Sequence, residues 1–379
     1  MRLLYIADEG FSLHNGTYYF TRPNQINVDQ FGKYFSQVLY LARDGRYVEG
    51  SIPIPASSPV WLVGKTDFAG LRRLLREKRD EYDAALLRNG MNGCIAVDTL
   101  KRLGKPVISY LGYDALSYKF SQRTLRGYAE GIAWYFLERN KMAKGDYAHY
   151  CADYLAAKYP ARAPYLVCPN VELTIDQERA QRRIRRILAG GGTRTVGMIA
   201  TLNHNKGIDV AIRSIALLPE PFSLEFVGGG DPAPYRQLAE TLGVADRVRF
   251  LGYFAERAML EDWLETLDVY IQPSLSEGLP RSALEAMAMA CPLIVSRTIG
   301  ASGWIDPQWR IHPRDHRMLA EKIRQMCGDP KCMAEQAEKN FECAKQFQPE
   351  LRQKKMDDYY RPFAAHSDPA PVETPDSGA

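Results

Sequence analysis

Short apolar stretches alternate with amphipathic segments along most of the chain. This alternation is typical of a parallel α/β architecture, in which each strand is followed by a helix that covers the sheet. Residues 25–35 carry Val28, Phe31 and Phe35 at helical spacing and predict a helix packed on the first sheet. The strands predicted in the first half are residues 3–7, 38–42, 60–63, 84–87, 107–110, 147–151 and 165–168.

A second α/β series follows a charged helix predicted over residues 176–188 and the glycines 190–192, which end that helix and form a joint. Its predicted strands are residues 195–200, 224–227, 248–251, 269–272 and 293–296. Its predicted helices are residues 208–217, 234–242, 256–266, 281–290 and 316–327. The fold class is therefore α/β, with two Rossmann-like parallel-sheet domains that face each other across a cleft.

The domain boundaries follow from this pattern. We predict one domain over residues 1–175, a second over 176–350, and a disordered tail over 364–379, where Pro, Asp, Ser and Thr dominate. A length of 379 residues suits two domains of ordinary size.

Composition and charge exclude several classes of protein. A net charge of +4 is too small an excess to indicate a nucleic-acid binder. No apolar stretch is long enough for a membrane helix, and the first apolar stretch fits a buried strand better than a signal peptide. The seven cysteines form no CxxC pair, which favours reduced thiols and a cytoplasmic location.

The most informative segment reads QPSLSEGLPRSALEAMA and begins at Gln272. A predicted strand ends there, Glu277 and Gly278 lie in the following loop, and Pro280 is predicted to open a helix that carries Glu285. The free amides at the start of such a helix can bind a phosphate, and Gly278 would allow close approach of the backbone. Glu285 lies about 8 Å further along the helix axis. A diphosphate site between two carboxylates is the resulting hypothesis.

These residues resemble the retaining glycosyltransferases of family 4, which have the GT-B fold. The family signature has two glutamates separated by seven residues within a Pro-Ser…Glu-Gly-Leu-Pro…Glu-Ala-Met-Ala segment. By this resemblance Glu277 would hold the sugar hydroxyls, Glu285 the ribose, and the backbone of Gly278, Leu279 and Pro280 the donor phosphates. The alternative for the two glutamates is a solvated, capped helix.

Two further segments extend the resemblance. Residues 196–207 end in Lys206-Gly207, and Lys206 would contact the donor diphosphate and stabilise it as it leaves; an ordinary surface lysine is the alternative. Thr201 or Met198 stands at the position where the family often has an arginine, so the phosphate contacts are expected to differ. Tyr253 would lie beside the nucleobase, or serve packing alone. The segment 351–363 would be the family's last helix, which crosses back to the first domain.

In the first half, a loop is predicted after the first strand, where the family places a glycine-bearing loop near the reacting centre. Gly10 and Gly16 are its donor-side candidates. Asp8, His14 and Asp114 are candidates for orienting an acceptor, although a loop histidine is more often simply solvated. Leu111 stands where many members have histidine, so a histidine-assisted reaction is not expected.

No Asp-x-Asp motif is present, and no Cys/His spacing indicates zinc, so we expect neither a metal nor a cofactor. The expected partners are a nucleotide sugar and a glycan or lipid-linked acceptor. Two basic runs, residues 71–79 and 179–186, are either solvated helix faces or contacts with an anionic membrane at the inner face of the plasma membrane.

The function predicted from these patterns is a metal-independent, retaining hexosyltransferase of cell-surface polysaccharide biosynthesis. Two alternatives are a non-catalytic partner subunit that binds a nucleotide sugar, and a GT-B sugar-nucleotide epimerase. A dinucleotide oxidoreductase lacks support, because no GxGxxG segment opens a helix after the first strand.

Overall fold

A computed structural model describes residues 1–20, 30–47, 51–190 and 194–365. The contacts divide the chain into two compact units. Unit 1 comprises residues 1–116, 124–170 and 353 onward, and unit 2 comprises residues 117–123 and 171–352. Residues 366–379 of the predicted tail and residues 25–29 of the predicted helix over 25–35 lie outside the described residues.

The sheet of unit 1 is mainly parallel. Its parallel strands run in the order β5-β3-β1-β6-β7-β8-β9, and β2 and β4 pair antiparallel at the end of β1. The strands are β1 (Arg2–His14), β2 (Thr17–Phe20), β3 (Gln37–Asp44), β4 (Ile52–Pro53), β5 (Val60–Val63), β6 (Ala84–Leu87), β7 (Val107–Leu111), β8 (Tyr147–Tyr150) and β9 (Tyr165–Val167). The helices before residue 170 are α1 (Phe68–Glu77), α2 (Met91–Arg102), α3 (Ala115–Ser121), α4 (Leu125–Lys144) and α5 (Asp153–Lys158).

The loop predicted after the first strand is wrong, because β1 continues to His14. Its register against β3 shifts between Ile6 and Gly10, and the strand then turns into β2 through Asn15 and Gly16. Both turn residues have positive φ, 49° and 77°, as a two-residue hairpin of the favoured twist requires. The Asn-Gly pair between apolar residues was the sequence signal for this hairpin. The described end of the predicted helix over 25–35 is a single 3-10 turn, Phe31–Lys33.

Both faces of the unit 1 sheet are buried. Leu3 and Tyr5 point to one face and Leu4 and Ile6 to the other, as the two-residue repeat of a strand demands. The second face is covered by α1 and α2. The first face is covered by a helix from the end of the chain, α13 (Pro349–Ala364), whose Tyr359 and Tyr360 are fully buried.

Unit 2 has a six-stranded sheet in which every pair is parallel, in the order β12-β11-β10-β13-β14-β15. The strands are β10 (Thr195–Ile199), β11 (Ser223–Val227), β12 (Val248–Phe250), β13 (Val269–Gln272), β14 (Leu293–Ser296) and β15 (Arg310–Ile311). The helices are α6 (Gln177–Leu188), α7 (Ile208–Ile215), α8 (Ala233–Thr241), α9 (Arg257–Thr266), α10 (Arg281–Ala288), α11 (His316–Gly328) and α12 (Pro330–Ala344).

This strand order is that of a Rossmann fold, with the order reversing between β10 and β13. From β10 the chain winds to one side through β11, and from β13 it winds to the other through β14. The loops that leave β10 and β13 therefore diverge and open a crevice at the carboxyl edge of the sheet, which is where ligands bind in such folds.

Candidate active site

Lys206 and Glu277 meet at this switch point. Lys206 ends a 3-10 turn, His204–Lys206, that follows β10, and Glu277 lies in the loop that follows β13. The lysine Nζ is 2.9 Å from Glu277 Oε2. Both side chains are partly exposed, so the pair faces the crevice rather than the core. Two residues from separate loops of unit 2 thus form one charged centre.

A hydrogen-bond network fixes the other oxygen of Glu277. Gln272 Nε2 donates to Glu277 Oε1 over 2.9 Å, and the Ser274 hydroxyl donates to the same oxygen. Gln272 is itself oriented, because its Oε1 accepts from the Tyr270 hydroxyl at 2.8 Å and from Ser282 at 3.1 Å. Burial raises the pKa of Tyr270 far above its usual range, so this hydroxyl stays a neutral donor. The carboxylate of Glu277 is therefore held in one orientation.

The two loops are also joined to each other. The Asn205 side chain donates to Ser276 O at 2.7 Å, and the backbone carbonyl of Asn205 accepts from Leu275 N at 2.8 Å. Gly207 follows with a φ of 72°, and a Cβ there would lie 2.4 Å from Pro273 O. Only glycine therefore allows the turn of Lys206 to pack so closely against the loop of Glu277. Gln272, Ser274 and Asn205 were not predicted as site residues. Gln272 and Ser274 lie in the same segment as Glu277, but no local pattern indicates the contact of Asn205 with a loop 71 residues away.

The start of α10 lies beside this pair. The helix begins at Arg281, so Pro280 is its N-cap residue rather than its first helical residue. Gly278 and Leu279 are half-buried and Pro280 is buried. The first amides of an α-helix have no partner within the helix, and the helix dipole gives them a partial positive charge. The loop and helix start thus provide donors suited to an anion, as the motif predicted.

Glu285 has a different environment from Glu277. It lies on α10, next to a cavity of about 50 Å³ that is also lined by Arg257 and Glu261 of α9. Burial raises the pKa of the Glu285 carboxyl, while the charges of Arg281 and Arg257 act in the opposite direction. Within the part of the chain that the structure describes, its carboxylate has no hydrogen-bond or ion-pair partner. A desolvated carboxylate of this kind has unused capacity to accept hydrogen bonds from hydroxyl groups.

Thr201 and Tyr253 lie on neighbouring loops at the same edge of the sheet. Thr201 is exposed and follows β10, and the adjacent Leu202 N donates to Gly229 O at 2.8 Å. Gly228 N donates to Gly252 O at 2.8 Å, which ties the loop after β11 to the loop that carries Tyr253. Tyr253 is 77% exposed, so packing does not explain this aromatic side chain.

The acceptor candidates of unit 1 have internal partners. Asp8 accepts from the backbone of Met91 at 2.7 Å and of Asn92 at 2.8 Å, and pairs with Arg43 at 2.6 Å. It therefore caps the start of α2. Gly10 lies within β1. The helix cap and the ion pair give Asp8 a structural role. Its role toward an acceptor stays a prediction.

Asp114 and His14 are also accounted for by local contacts. Asp114 is buried, pairs with Lys158 at 2.5 Å and accepts from the Tyr159 hydroxyl at 2.6 Å. His14 stacks on Tyr47 with ring centroids 4.2 Å apart, next to the hairpin turn of Gly16. Their roles toward an acceptor remain predictions, and so do the donor-side roles of Gly10 and Gly16.

The second basic run is largely used within unit 2. Arg183 is buried and donates to Leu267 O at 2.6 Å and to Leu264 O, and Arg186 donates to Glu265 O at 2.7 Å. Arg179 pairs with Asp262 at 2.9 Å. Arg183 and Arg186 satisfy carbonyl groups at the carboxyl end of α9, which a helix leaves without partners, and Arg179 pairs with a carboxylate on the same helix. These three arginines of the second basic run therefore contact α9 within unit 2.

The described residues contain no group of three or more His, Cys, Asp or Glu side chains that could hold a metal ion. None of the helices in the described ranges is long and apolar enough to cross a membrane.

Part of the chain matches a known protein family. Residues 193–329 match the family described as Glycosyl transferases group 1, a range that contains Lys206, Glu277 and Glu285. The chain is 29% identical over 248 residues to Protein CapJ of Staphylococcus aureus, which covers 64% of this chain and 62% of the relative. It is 31% identical over 166 residues to the lipopolysaccharide core biosynthesis mannosyltransferase LpsB of Rhizobium meliloti, covering 39% and 46%. The chain thus spans less than two thirds of these relatives.

The whole chain also resembles solved structures. Alr3699/HepE of Anabaena, solved in complex with UDP, superposes with a TM-score of 0.68 at 17% identity and covers 94% of this chain and 98% of that one. At this identity the match shows the fold alone. Residues 193–329 therefore match Glycosyl transferases group 1, and the two parallel-sheet units have the GT-B fold of glycosyltransferases.

Proposed function

We propose that this chain is a retaining glycosyltransferase that moves a hexose from a nucleotide-diphosphate sugar to a glycan or lipid-linked acceptor. The observation that carries the proposal is the ion pair between Lys206 and Glu277, held at 2.9 Å over the switch point of unit 2. A cation and a carboxylate fixed side by side suit a ligand that offers phosphates next to hydroxyl groups. A nucleotide-diphosphate sugar has both.

Lys206 and the start of α10 would bind the donor diphosphate. The lysine charge and the amides around Gly278, Leu279 and Pro280 oppose the negative charge that grows on the phosphate as its bond to the sugar breaks. Such preformed charges need no metal, which is why we propose a metal-independent reaction without a cofactor. Thr201 offers a hydroxyl group to the same phosphates, in place of a charge.

The two glutamates would divide the remaining contacts. Glu277, fixed by Gln272 and Ser274, would accept hydrogen bonds from the hexose hydroxyls. Glu285 would accept from the ribose hydroxyls, since its carboxylate is desolvated and lies next to a small cavity. The exposed ring of Tyr253 would stack on the base.

Transfer with retention requires the acceptor to approach on the face that the diphosphate leaves. The bond between the anomeric carbon and the phosphate oxygen breaks, and its electron pair stays on the diphosphate. The acceptor oxygen then bonds to the anomeric carbon, and its proton passes to the departing phosphate. Asp8, His14 and Asp114 are the proposed acceptor-side groups, and the backbone of Gly10 and Gly16 is proposed to lie on the donor side.

Two similar proteins support a proposal for the substrate class. Alr3699/HepE was solved with UDP, and LpsB is a mannosyltransferase of lipopolysaccharide core biosynthesis. We therefore propose a uridine or guanosine diphosphate sugar as donor and a role in cell-surface polysaccharide biosynthesis. A cytoplasmic location with peripheral contact to an anionic membrane belongs to the same proposal.

A thermal-shift screen of the purified chain against UDP, GDP and their hexose derivatives tests the donor class. We expect a rise in the unfolding temperature with one nucleotide family, because a ligand that binds only the folded state stabilises it. Mass spectrometry of the same samples with glycan acceptors should then reveal a glycosylated product. Binding without transfer or donor hydrolysis would instead indicate a partner subunit, and interconversion of donor sugars without an acceptor would indicate an epimerase.

A further inference from the structure

Helix α4 carries a stripe of large apolar side chains on the surface of unit 1. Leu125 is 89% exposed, Phe136 is 63% exposed and Ile132 is 49% exposed. They recur at a spacing of seven and four residues, which places them on one side of the helix over about 16 Å. Tyr128, Ala129 and Ala133 are exposed on or beside this side. Single exposed apolar residues are ordinary, but a continuous stripe marks a contact surface.

The buried side of α4 includes two charged residues. Its buried positions are Gly127, Gly131, Glu138, Lys141 and Met142. Most amphipathic helices bury their large apolar residues and expose their charges. α4 departs from this pattern, because it buries Glu138 and Lys141 while the apolar stripe is exposed.

A buried ion pair prevents the helix from turning its apolar side inward. Glu138 and Lys141 are fully buried and lie 2.5 Å apart. Lys141 also donates to Arg88 O and Tyr110 O, each at 3.1 Å, and Glu138 accepts from Gly90 N at 3.1 Å. Rotation of α4 would leave these charges without partners, at a large cost in free energy. The stripe from Leu125 to Phe136 is therefore a fixed feature of the folded unit.

The charges beside the stripe are mostly basic. Arg126 and Arg139 are exposed near its two ends, and Lys144 is exposed at the end of the helix. Two of these charges have acidic partners: the half-buried Glu130 pairs with Arg126 at 2.6 Å, and Asp98 of α2 pairs with Lys144 at 2.5 Å. Arg139 has no acidic partner among the described residues. Arg139 donates to the Tyr135 hydroxyl at 2.7 Å, beside Phe136. Apolar side chains flanked by arginines and tyrosines suit the boundary between acyl chains and anionic headgroups.

The size of the stripe favours a membrane over a second protein chain. Its large side chains offer roughly 500 Å² at their observed exposure, since side chains of this size present about 150–250 Å² each. A specific protein interface usually buries about 800 Å² on each partner. A helix that lies in a bilayer surface needs only a narrow apolar face, which enters by roughly 5–10 Å.

We propose that α4 is the surface by which this protein docks on a membrane containing anionic lipids, with Leu125, Ile132 and Phe136 inserted among the acyl chains. This docking does not depend on the proposed transferase activity. It differs from the sites suggested by the two basic runs, since α6 uses its arginines internally and the run of α1 lacks an exposed apolar stripe.

Vesicle flotation of the full chain tests this proposal. Vesicles of phosphatidylcholine alone are compared with vesicles that also contain phosphatidylglycerol. We expect the wild-type chain to float with the anionic vesicles and to be released in part by high salt. The double variant Ile132→Ser/Phe136→Ser should lose about tenfold or more of this binding, because two apolar side chains no longer enter the bilayer. Arg126→Gln/Arg139→Gln should lose the preference for anionic vesicles and its salt dependence.

The matched control is Leu188→Ser/Leu217→Ser, which replaces two comparably exposed leucines of unit 2. This control should bind vesicles like the wild type, and all variants should unfold at the wild-type temperature. No binding of the wild-type chain to either vesicle would overturn the proposal, as would equal binding by the Ile132/Phe136 variant. A dimer seen by analytical ultracentrifugation that this variant abolishes, without vesicle binding, would identify α4 as an interface between two copies instead.

Discussion

Glu277 and Lys206 illustrate how much of this site depends on the orientation of single side chains. Each carboxylate oxygen of Glu277 has its own partner, Lys206 on one side and the Gln272–Ser274 pair on the other. A carboxylate held in this way reaches a ligand without first losing rotamer freedom. Glu285, by contrast, has no such partners among the described residues, and burial raises the pKa of its carboxyl group.

Replacing Glu277 by alanine is expected to lower kcat by about 10²–10³-fold, because it removes a preorganised acceptor next to the reacting sugar. Steady-state transfer assays with the donor found by thermal shift would measure the loss. Glu338→Ala changes an exposed glutamate on α12 and serves as the control that keeps the wild-type rate. Wild-type turnover in the Glu277 variant would exclude this residue from the reaction.

Glu285→Gln should stabilise the protein at neutral pH while weakening donor binding. Burial raises the pKa of Glu285 above its ordinary value of 4.5, so the folded state favours the neutral, protonated carboxyl group. The contribution of this protonation to stability is complete below pH 4.5 and is lost as the pH rises through the raised pKa. At pH 7.5 the buried charge therefore destabilises the fold, and a neutral glutamine removes that cost. We expect a rise in unfolding temperature on the order of 1–3 °C at pH 7.5 and no difference below pH 4.5.

Calorimetric scans across this pH range, made beside nucleotide titrations, would separate the two effects. A variant that is less stable than the wild type at pH 7.5 would contradict the assignment of an unfavourable charge at Glu285.

At the scale of elements, the site depends on two strand-to-helix loops packed against each other. The turn after β10 and the loop after β13 are joined through Asn205 and through the close approach of Gly207 to Pro273. The bounds of β13 and β14 follow directly from their apolar sequence, and their observed ends equal the predicted ones. The hairpin of β1 and β2 was missed, since its apolar residues alternate with polar ones that were assigned to a loop.

Gly207→Ala should lower stability and donor affinity together. The new Cβ would meet Pro273 O at 2.4 Å and would also strain a backbone with a φ of 72°. Gly243→Ala is a matched control, because Gly243 has a φ of 68° but no atom within 4 Å of an added Cβ. We expect the first variant to lose about 2–3 kcal/mol of unfolding free energy and the second about 1 kcal/mol.

Urea titrations would give both stabilities, and nucleotide titrations would show whether the larger loss at Gly207 also displaces Lys206. Equal losses of stability and unchanged affinity in both variants would contradict a close contact between the two loops.

At the scale of the whole molecule, unit 1 is completed by the end of the chain. Residues of α13 from Gln353 onward belong to unit 1, although the segment that precedes them lies in unit 2. Tyr359 donates to Ala148 O at 2.6 Å, and the Tyr360 hydroxyl is 2.7 Å from His149 Nδ1. The second ring nitrogen of His149 is 2.8 Å from Cys168 O, which makes it the donor and leaves Nδ1 to accept from Tyr360. The C-terminal helix is thus part of the core beneath β8.

Tyr360→Ala is expected to destabilise unit 1 by about 3–5 kcal/mol, because it empties a fully buried aromatic position. Hydrogen exchange measured by mass spectrometry should show faster exchange in β7, β8 and β9 and unchanged exchange in β10 and β13. Leu351→Ala, at an exposed position of the same helix, should leave all five strands protected as in the wild type. Uniform loss of protection in both units would mean that they unfold as one.

The amino-acid sequence by itself determined the alternation of strands and helices and the placement of Glu277 and Glu285 around a helix start. Those features depend on neighbours a few residues apart, which the two-residue and 3.6-residue periods report directly. Only the tertiary structure decided the strand order that brings Lys206 to Glu277, the use of Asp8 as a helix cap, and the burial of the Glu138–Lys141 ion pair of α4. Each of these depends on contacts between residues far apart in the chain. Such contacts produce no repeating pattern of apolar residues, so they cannot be predicted from periodicity.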